Sequence, residues 1–193
     1  MITIKENLLS VSMLEFLKYR IENPEFPWYY LPNSSHMEAD GNILNYSFNH
    51  LVFENSPPDD RGILSQWYDV TNSAALEIKD AFELHNYHII RLRWGMTTSA
   101  NIPHRNNPHK DHDIKHKTIL YYIGTYDGDT YFYNENKEEV NNITPKINRG
   151  VLFDGTILHS SSKPVKCGRR IVLNINLQET KWIHQLILKK KNI

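Results

Sequence analysis

The sequence predicts a mostly β domain, a sandwich or barrel with flanking helices against one face. Three observations carry this. Apolar residues recur at helical spacing in two early segments, near residues 12–22 and 73–84. From His88 onward the apolar period changes from helical to two, and strand patterns keep recurring. Short loops rich in Asn, Asp, Gly and Pro separate those strands, as in an all-β architecture.

Near the N-terminus, Ser12-Met13-Leu14-Glu15 is a capping-box pattern, and Leu14, Leu17 and Ile21 continue it on one helical face. Pro24 and Pro27 stop that helix. Phe26 to Leu31 reads as an aromatic extended piece, residues 32–42 as a polar loop and Tyr46 to Glu54 as a strand. Ser56-Pro57-Pro58-Asp59-Asp60 reads as a loop. A second helix is expected from about Ser73 to Leu84, capped by Asn72, with Ala75, Ile78, Ala81 and Phe82 on one face. On the next strand His88, Ile90, Leu92, Trp94 and Met96 share one face, and Ile89, Arg91 and Arg93 the other. Those two arginines could enter a cavity, but the favoured expectation is a solvated pair on a half-exposed sheet. Further strands are expected at 117–124, 129–134, 150–154 and 169–177, and a short helix or tail from Lys181 to Ile193. The whole chain, 1–193, reads as a single domain. Residues 1–86 supply helical and strand support, 87–178 the core, and 179–193 a C-terminal helix or tail.

Composition narrows the function classes. The 193 residues carry 22 Lys+Arg against 22 Asp+Glu, so the formal net charge is zero. That balance argues against non-specific coating of nucleic acid, which needs excess cation. No apolar run is long enough for a membrane-spanning helix. The N-terminus, with its acidic residues and no continuous apolar stretch, does not read as a signal peptide. A soluble, cytoplasmic protein is the default expectation. Ten histidines stand against one cysteine, Cys167, which excludes a disulfide framework and any cysteine-based zinc site. Metal chemistry would have to run on His and carboxylate. Four histidines, His104, His109, His112 and His116, fall in one short stretch.

Within that stretch His109 and Asp111 form an H-x-D. Positions i and i+2 on an extended segment project to one side, so one imidazole and one carboxylate can reach a common ion. His159, after the apolar strand Gly150-Val151-Leu152-Phe153 and the turn-prone Asp154-Gly155, is the natural third ligand. Two neutral imidazoles and one carboxylate form the facial triad of non-haem Fe(II) sites, with three positions left open. By itself an H-x-D is common, and loop histidines are usually solvated. His104, His112 and His116 are expected to have no role. Asp113 is either an acceptor for a ligand imidazole or a turn residue.

The motifs C-terminal to the H-x-D give the triplet weight. Lys117-Thr118-Ile119-Leu120-Tyr121-Tyr122-Ile123-Gly124 comes next, then Asp127-Gly128-Asp129-Thr130 and an aromatic strand. Arg149-Gly150-Val151-Leu152-Phe153-Asp154, His159, Pro164-Val165 and Gly168-Arg169-Arg170-Ile171-Val172-Leu173 complete the series. In this order the motifs resemble the iron(II)/2-oxoglutarate-dependent dioxygenases, particularly the prolyl 4-hydroxylase-like branch and its short bacteriophage-encoded members. The resemblance spans about 88–178 and is looser over 26–87.

The resemblance implies a double-stranded β-helix (jelly-roll) core. It implies His109, Asp111 and His159 as iron ligands, and Fe(II), 2-oxoglutarate and O2 as cofactor and co-substrates, with ascorbate as a supporting reductant. It further implies hydroxylation of a C–H bond with release of succinate and CO2; related halogenases lack the carboxylate that Asp111 supplies. A basic residue on the last core strand should hold the distal carboxylate of 2-oxoglutarate, and Arg169 and Arg170 compete for this. The family spacing from the Pro-Val pair lands on Arg170. Alternation agrees: Ile171, Leu173, Ile175 and Leu177 suit a helix-covered face, leaving Arg170, Val172, Asn174 and Asn176 toward the cavity. Animal collagen prolyl hydroxylases typically use Lys here, a departure. Tyr122 matches the tyrosine that hydrogen-bonds the same carboxylate, although a strand tyrosine is more often a core aromatic.

Two rival readings share the fold: a nucleic-acid-directed oxidative demethylase and a non-catalytic jelly-roll metal-binding module. Lys110, Lys115, Lys117, Lys163, Lys166 and Arg169 are expected around the site entrance, where a demethylase would need a basic groove. A solvated rim on a charge-balanced protein is the plainer expectation. The expected substrate is a peptide, peptidyl proline foremost, or a small molecule of amino-acid type, and its binding residues are not identifiable from sequence. A monomer or homodimer with no membrane association is expected, in the host cytoplasm if the chain is phage-encoded.

Overall fold

The computed structural model describes residues 1–33 and 44–180. Most of the expected loop at 32–42, and the expected helix or tail from Lys181, lie outside the described residues. The described chain runs β1 (Thr3–Glu6), α1 (Val11–Ile21), β2 (Tyr29–Leu31), β3 (Ser47–Ser56), β4 (Asp59–Ile63) and α2 (Tyr68–Ala81). It continues through β5 (Tyr87–Thr98), β6 (Lys117–Tyr122), β7 (Thr130–Tyr133) and β8 (Glu139–Ile143). It ends with β9 (Arg149–Asp154), β10 (Leu158–Ser161) and β11 (Arg169–Glu179).

Two antiparallel sheets form the body. The larger has the order β1-β9-β6-β11-β5-β3-β2, with β4 added on β3. The smaller is β10-β7-β8. Bridges from Arg105 to Ser162 and from His109 to His159 lay the segment around 105–109 beside β10. This is the expected jelly roll: two facing sheets, with helices on the outer face of the larger one.

Alternation along the strands sorts the side chains into two cores. On the outer face Ile171, Leu173, Ile175 and Leu177 join Leu92, Trp94, Ile119 and Tyr121 under the helices. Leu14, Leu17 and Ile21 of α1 and Ala74, Ala75 and Ile78 of α2 close that layer. Each fully buried Leu or Ile among these contributes roughly 1.5–3 kcal/mol of transfer free energy. On the inner face Leu120, Tyr122, Val151, Phe153 and Val172 meet Phe132 and Ile143 of the small sheet. The candidate site lies where this inner core gives way to polar residues.

Several boundaries differ from the sequence expectation. Ser10, not Ser12, caps α1: its Oγ accepts from the Met13 amide at 3.3 Å. Ser12 already lies within the first turn. Helix α2 starts at Tyr68, five residues before the expected Ser73, so Asn72 is interior. The earlier turns are held by Thr71, whose Oγ1 accepts from Trp94 Nε1 at 3.1 Å. The expected loop at 56–60 is a hairpin joining β3 to β4. Strands β1, β8 and β10 had no sequence signal, because each is short and largely polar or exposed. β1 gains its structure only by pairing with β9 at the sheet edge.

Candidate metal centre

The backbone itself brings the two histidines together. His109 and His159 exchange both main-chain hydrogen bonds, His109 N to His159 O at 2.9 Å and the reverse at 3.0 Å. Directly opposed residues of an antiparallel pair project to the same face, and their ring centroids lie 4.8 Å apart. Asp111, two residues on, returns to that face. One ligand atom from each of His109, Asp111 and His159 falls within 4.8 Å of the others. No other group of three such residues does so among the described residues.

The imidazoles are prepared as neutral ligands. His109 Nδ1 faces the Asn107 carbonyl and His159 Nδ1 the Ile157 carbonyl, each at 3.2 Å and each two residues upstream. A proton on Nδ1 leaves Nε2 as the free donor atom of each ring. Burial pushes the His109 imidazole down to about 3, helped by the neighbouring His159. Burial also lowers His159. Phe153 packs edge-on against the His159 ring at 5.0 Å, which fixes its orientation.

Asp111 sits in a cage of donors. Its side chain is 1% exposed. Oδ1 accepts from Arg91 Nη2 at 2.7 Å, and Asn174 Nδ2 reaches the two oxygens at 3.1 and 3.0 Å. Oδ2 also accepts from Asn176 Nδ2 at 3.0 Å, while His159 Nε2 stands 3.9 Å from it. Burial by itself would raise this carboxyl, but Arg91, His159 and Arg93 outweigh it and hold it well below the usual carboxylate range. The expectation of solvated arginines is therefore wrong. Arg91 is 6% exposed, and the Arg93 guanidinium lies 3.7 Å from Asp111. Cross-strand register explains this: Arg91 pairs with Asn176 and Arg93 with Asn174, on the inner face of a closed fold. Because Leu92 and Trp94 face the helix-covered core, joined by Ile89 and not Ile90 across the register shift at Asn176/Leu177, Arg91 and Arg93 had to face the space between the sheets. That was the available signal.

Along β11 the same face continues through Val172 to Arg170, which is 3% exposed. A cavity is lined by His109, His159 and Asn174, and also by Thr97, Thr130 and Arg170. Arg170 Nη2 donates to Thr130 Oγ1 at 2.7 Å, whereas Arg170 Nε and Thr97 Oγ1 are buried without a hydrogen-bond partner. An unpartnered buried guanidinium N–H is costly unless an acceptor completes it, and a ligand carboxylate does so with matching geometry. Gly128 makes room here: a Cβ would lie 3.1 Å from Arg170 Cδ and 2.6 Å from the Ser162 carbonyl. Tyr122 is fully buried, with its hydroxyl 2.7 Å from Thr130 Oγ1, so it supports Thr130 rather than lining the cavity itself. The neighbouring Arg169 points outward to Glu22 at 3.5 Å.

Among the described residues the other histidines take no part in the triad. His116 is buried against Gly155, and its Nδ1 lies 2.7 Å from the Ile114 carbonyl. His104 Nε2 contacts Asn45 Oδ1 at 2.8 Å. The expected basic rim is also incomplete. Lys163 is 2% exposed, with its ammonium 3.5 Å from the Tyr46 ring centroid and donating to the Tyr46 carbonyl. No helix among the described residues is long and apolar enough to cross a membrane.

The donor set fits a first-row divalent cation with open coordination positions, and the Arg170 end fits a carboxylate. No protein-family model matches this sequence, and no curated protein sequence does. Solved structures do resemble it. A 2-oxoglutarate-Fe(II) oxygenase family oxidoreductase from Burkholderia pseudomallei superposes with a TM-score of 0.66 at 11% identity, over 92% of this chain and 85% of that one. A prolyl hydroxylase from Trichoplax adhaerens, solved with a hypoxia inducible factor peptide, gives 0.62 at 16% identity over 93% and 84%. A viral collagen prolyl hydroxylase from Paramecium Bursaria Chlorella virus-1, solved with 2-oxoglutarate, gives 0.56 at 13% identity over 93% and 96%. At these identities the likeness is one of fold.

Proposed function

We propose that this chain is a non-haem Fe(II)- and 2-oxoglutarate-dependent dioxygenase that hydroxylates a C–H bond of an amino-acid-type substrate. One observation carries the reading: the two histidines of a two-histidine, one-carboxylate cluster and an incompletely partnered buried arginine line a single cavity. The fold likeness to 2-oxoglutarate oxygenases, prolyl hydroxylases among them, supports it.

In this reading His109 Nε2, His159 Nε2 and Asp111 hold the iron, and Arg170 receives the distal carboxylate of 2-oxoglutarate. When bound, iron and co-substrate supply the oxidation: O2 is reduced, 2-oxoglutarate becomes succinate and CO2, and one oxygen atom enters the substrate. The protein's own work is positional. Arg91, Asn174 and Asn176 keep the Asp111 carboxylate ionised and turned to its place. Thr130, backed by Tyr122, fixes the plane of the Arg170 guanidinium. Leu120 and Val172 line the same cavity with apolar surface, which keeps water from the reacting groups. The buried Lys163 and the Arg169–Glu22 pair take cations away from the rim that a nucleic-acid substrate would need.

The test is calorimetric. With metal-loaded protein under anaerobic conditions, 2-oxoglutarate binds, stripping the metal abolishes the heat, and Arg170→Ala weakens binding by tenfold or more. Unchanged 2-oxoglutarate binding in either case contradicts the assignment.

A further inference from the structure

The two ends of the Asn174 amide are unequally used. Asn174 is 5% exposed and lines the cavity beside His109 and His159. Its Nδ2 donates to both Asp111 oxygens, at 3.1 and 3.0 Å. Its Oδ1 is buried with no hydrogen-bond partner. The amide cannot turn over to relieve this, because Oδ1 would then press on a carboxylate with no proton between them. A buried carbonyl without a donor is costly unless a bound species supplies one.

Asn176, two residues on, is the completed version. Its Nδ2 also donates to Asp111, at 3.0 Å, and its Oδ1 accepts from Arg91 Nε at 2.8 Å. Asn174 has the first contact and lacks the second. Several donors of the same cavity are spent elsewhere. Arg93 stands 3.7 Å from Asp111, and Thr130 Oγ1 is shared by Tyr122 and Arg170. Ser160 contacts the Tyr133 hydroxyl, and Ser161 accepts from Asn106. At neutral pH 2-oxoglutarate is a dianion with oxygen acceptors only, so it offers Oδ1 nothing. A divalent ion held by three protein atoms does bring a donor. Its open positions carry water, and water polarised by a dication is a strong hydrogen-bond donor. Nδ2 rests on Asp111, so Oδ1 of the same planar amide stands next to that carboxylate.

We propose that Asn174 is a positioning residue for metal-bound water: Nδ2 holds the Asp111 ligand while Oδ1 accepts a hydrogen bond from water on an open metal position. The inference rests on the dioxygenase reading above and adds to it a role for this chain's own amide. The bond lengthens the stay of that water, so Asn174 sets how fast the position clears for an incoming ligand.

A crystal structure of the full-length wild-type protein loaded with Mn(II), without 2-oxoglutarate, tests the contact. A water on the metal lies about 3 Å from Asn174 Oδ1. Mn(II) seated on His109, Asp111 and His159 with no such water in reach of Oδ1 overturns the proposal. Oxygen-17 relaxation of the same Mn(II)-loaded protein then measures how long the water stays, a readout independent of turnover. Asn174→Leu shortens the residence time about tenfold, the loss of one hydrogen bond from a charge-polarised donor. Asn176→Leu, which also removes an Asp111 contact but no acceptor for water, leaves it nearly unchanged. Equal shortening in both variants overturns the proposal, because Asn174 would then act only through Asp111. No shortening in Asn174→Leu overturns it as well. The crystal structure needs no variant, so the contact stays open to refutation even if Asn174→Leu does not fold. Failure of Mn(II) to occupy the triad would instead remove the dioxygenase reading, and the water site with it.

Discussion

Replacing Arg91 with Met tests how much the donor cage does for Asp111. The substitution keeps the apolar stem and removes the guanidinium. In the structure Arg91 Nη2 lies 2.7 Å from Asp111 Oδ1, with the two side chains 7% and 1% exposed. At an effective dielectric of about 20 the gross attraction at that separation is about 6 kcal/mol. Desolvation of the two ions offsets much of it, so the pair's net worth is small. Removing one partner alone is different, because it strands a buried charge at a cost of roughly 3–5 kcal/mol. Arg93 at 3.7 Å and the amides of Asn174 and Asn176 remain, which places the expected loss at the low end, about 3 kcal/mol. A divalent ion at the triad supplies the missing positive charge. The deficit should therefore shrink to about 1 kcal/mol when the protein is saturated with Zn(II). Urea unfolding by circular dichroism, in EDTA and then in Zn(II), measures both values. A loss below about 1 kcal/mol in EDTA, or one that metal leaves unchanged, refutes the reasoning.

The same contacts bear on other substitutions. Arg170→Ala should raise the apparent KM for 2-oxoglutarate by tenfold or more, about the worth of a charged hydrogen bond, whereas Arg169→Ala, at an exposed pair with Glu22, should leave it nearly unchanged in steady-state succinate assays. Phe153→Ala, which removes a buried ring between Phe132 and His159, should cost roughly 3–5 kcal/mol in chemical denaturation. Asp127 accepts backbone N–H bonds from Val165, Lys166 and Cys167. Its partial burial pushes the carboxyl up, but those three donors outweigh it and hold it below the usual range. A depressed carboxyl contributes stability above its unfolded value of about 4, and the contribution fades as pH falls through that region. Asp127→Asn should therefore lower stability at pH 7 and flatten the acid side of the stability profile, read from thermal melts between pH 3 and 7.

Much of the site was legible because it obeys strand alternation. His109 and Asp111 share a face two residues apart, and Arg170, Val172 and Asn174 share another, so parity sufficed to aim them. The residues that were misread depend on closure of the fold. Arg91 and Arg93 alternate with Ile90, Leu92 and Trp94 as they would on a half-solvated sheet, and only the facing small sheet makes both sides of β5 interior. Lys163 looked like a rim cation because nothing local reveals that Tyr46, distant in sequence, receives its ammonium. Strands such as Glu139–Ile143, mostly exposed, exist through pairing with β7 and not through any apolar pattern. Helix starts moved for a similar reason: Ser10 and Ser12 offer the same hydroxyl, and tertiary packing decides which one is the cap.

In the proposed function His109, Asp111 and His159 hold one catalytic iron. The most direct measurement is O2 consumption and succinate release by Fe(II)-reconstituted protein given 2-oxoglutarate, with metal content determined in parallel. One iron per chain and 2-oxoglutarate-dependent O2 uptake matched by succinate are expected. His109→Ala, Asp111→Ala and His159→Ala should each lose both iron and turnover, with far-UV circular dichroism unchanged. A folded triad variant that still couples O2 consumption to succinate formation would contradict it.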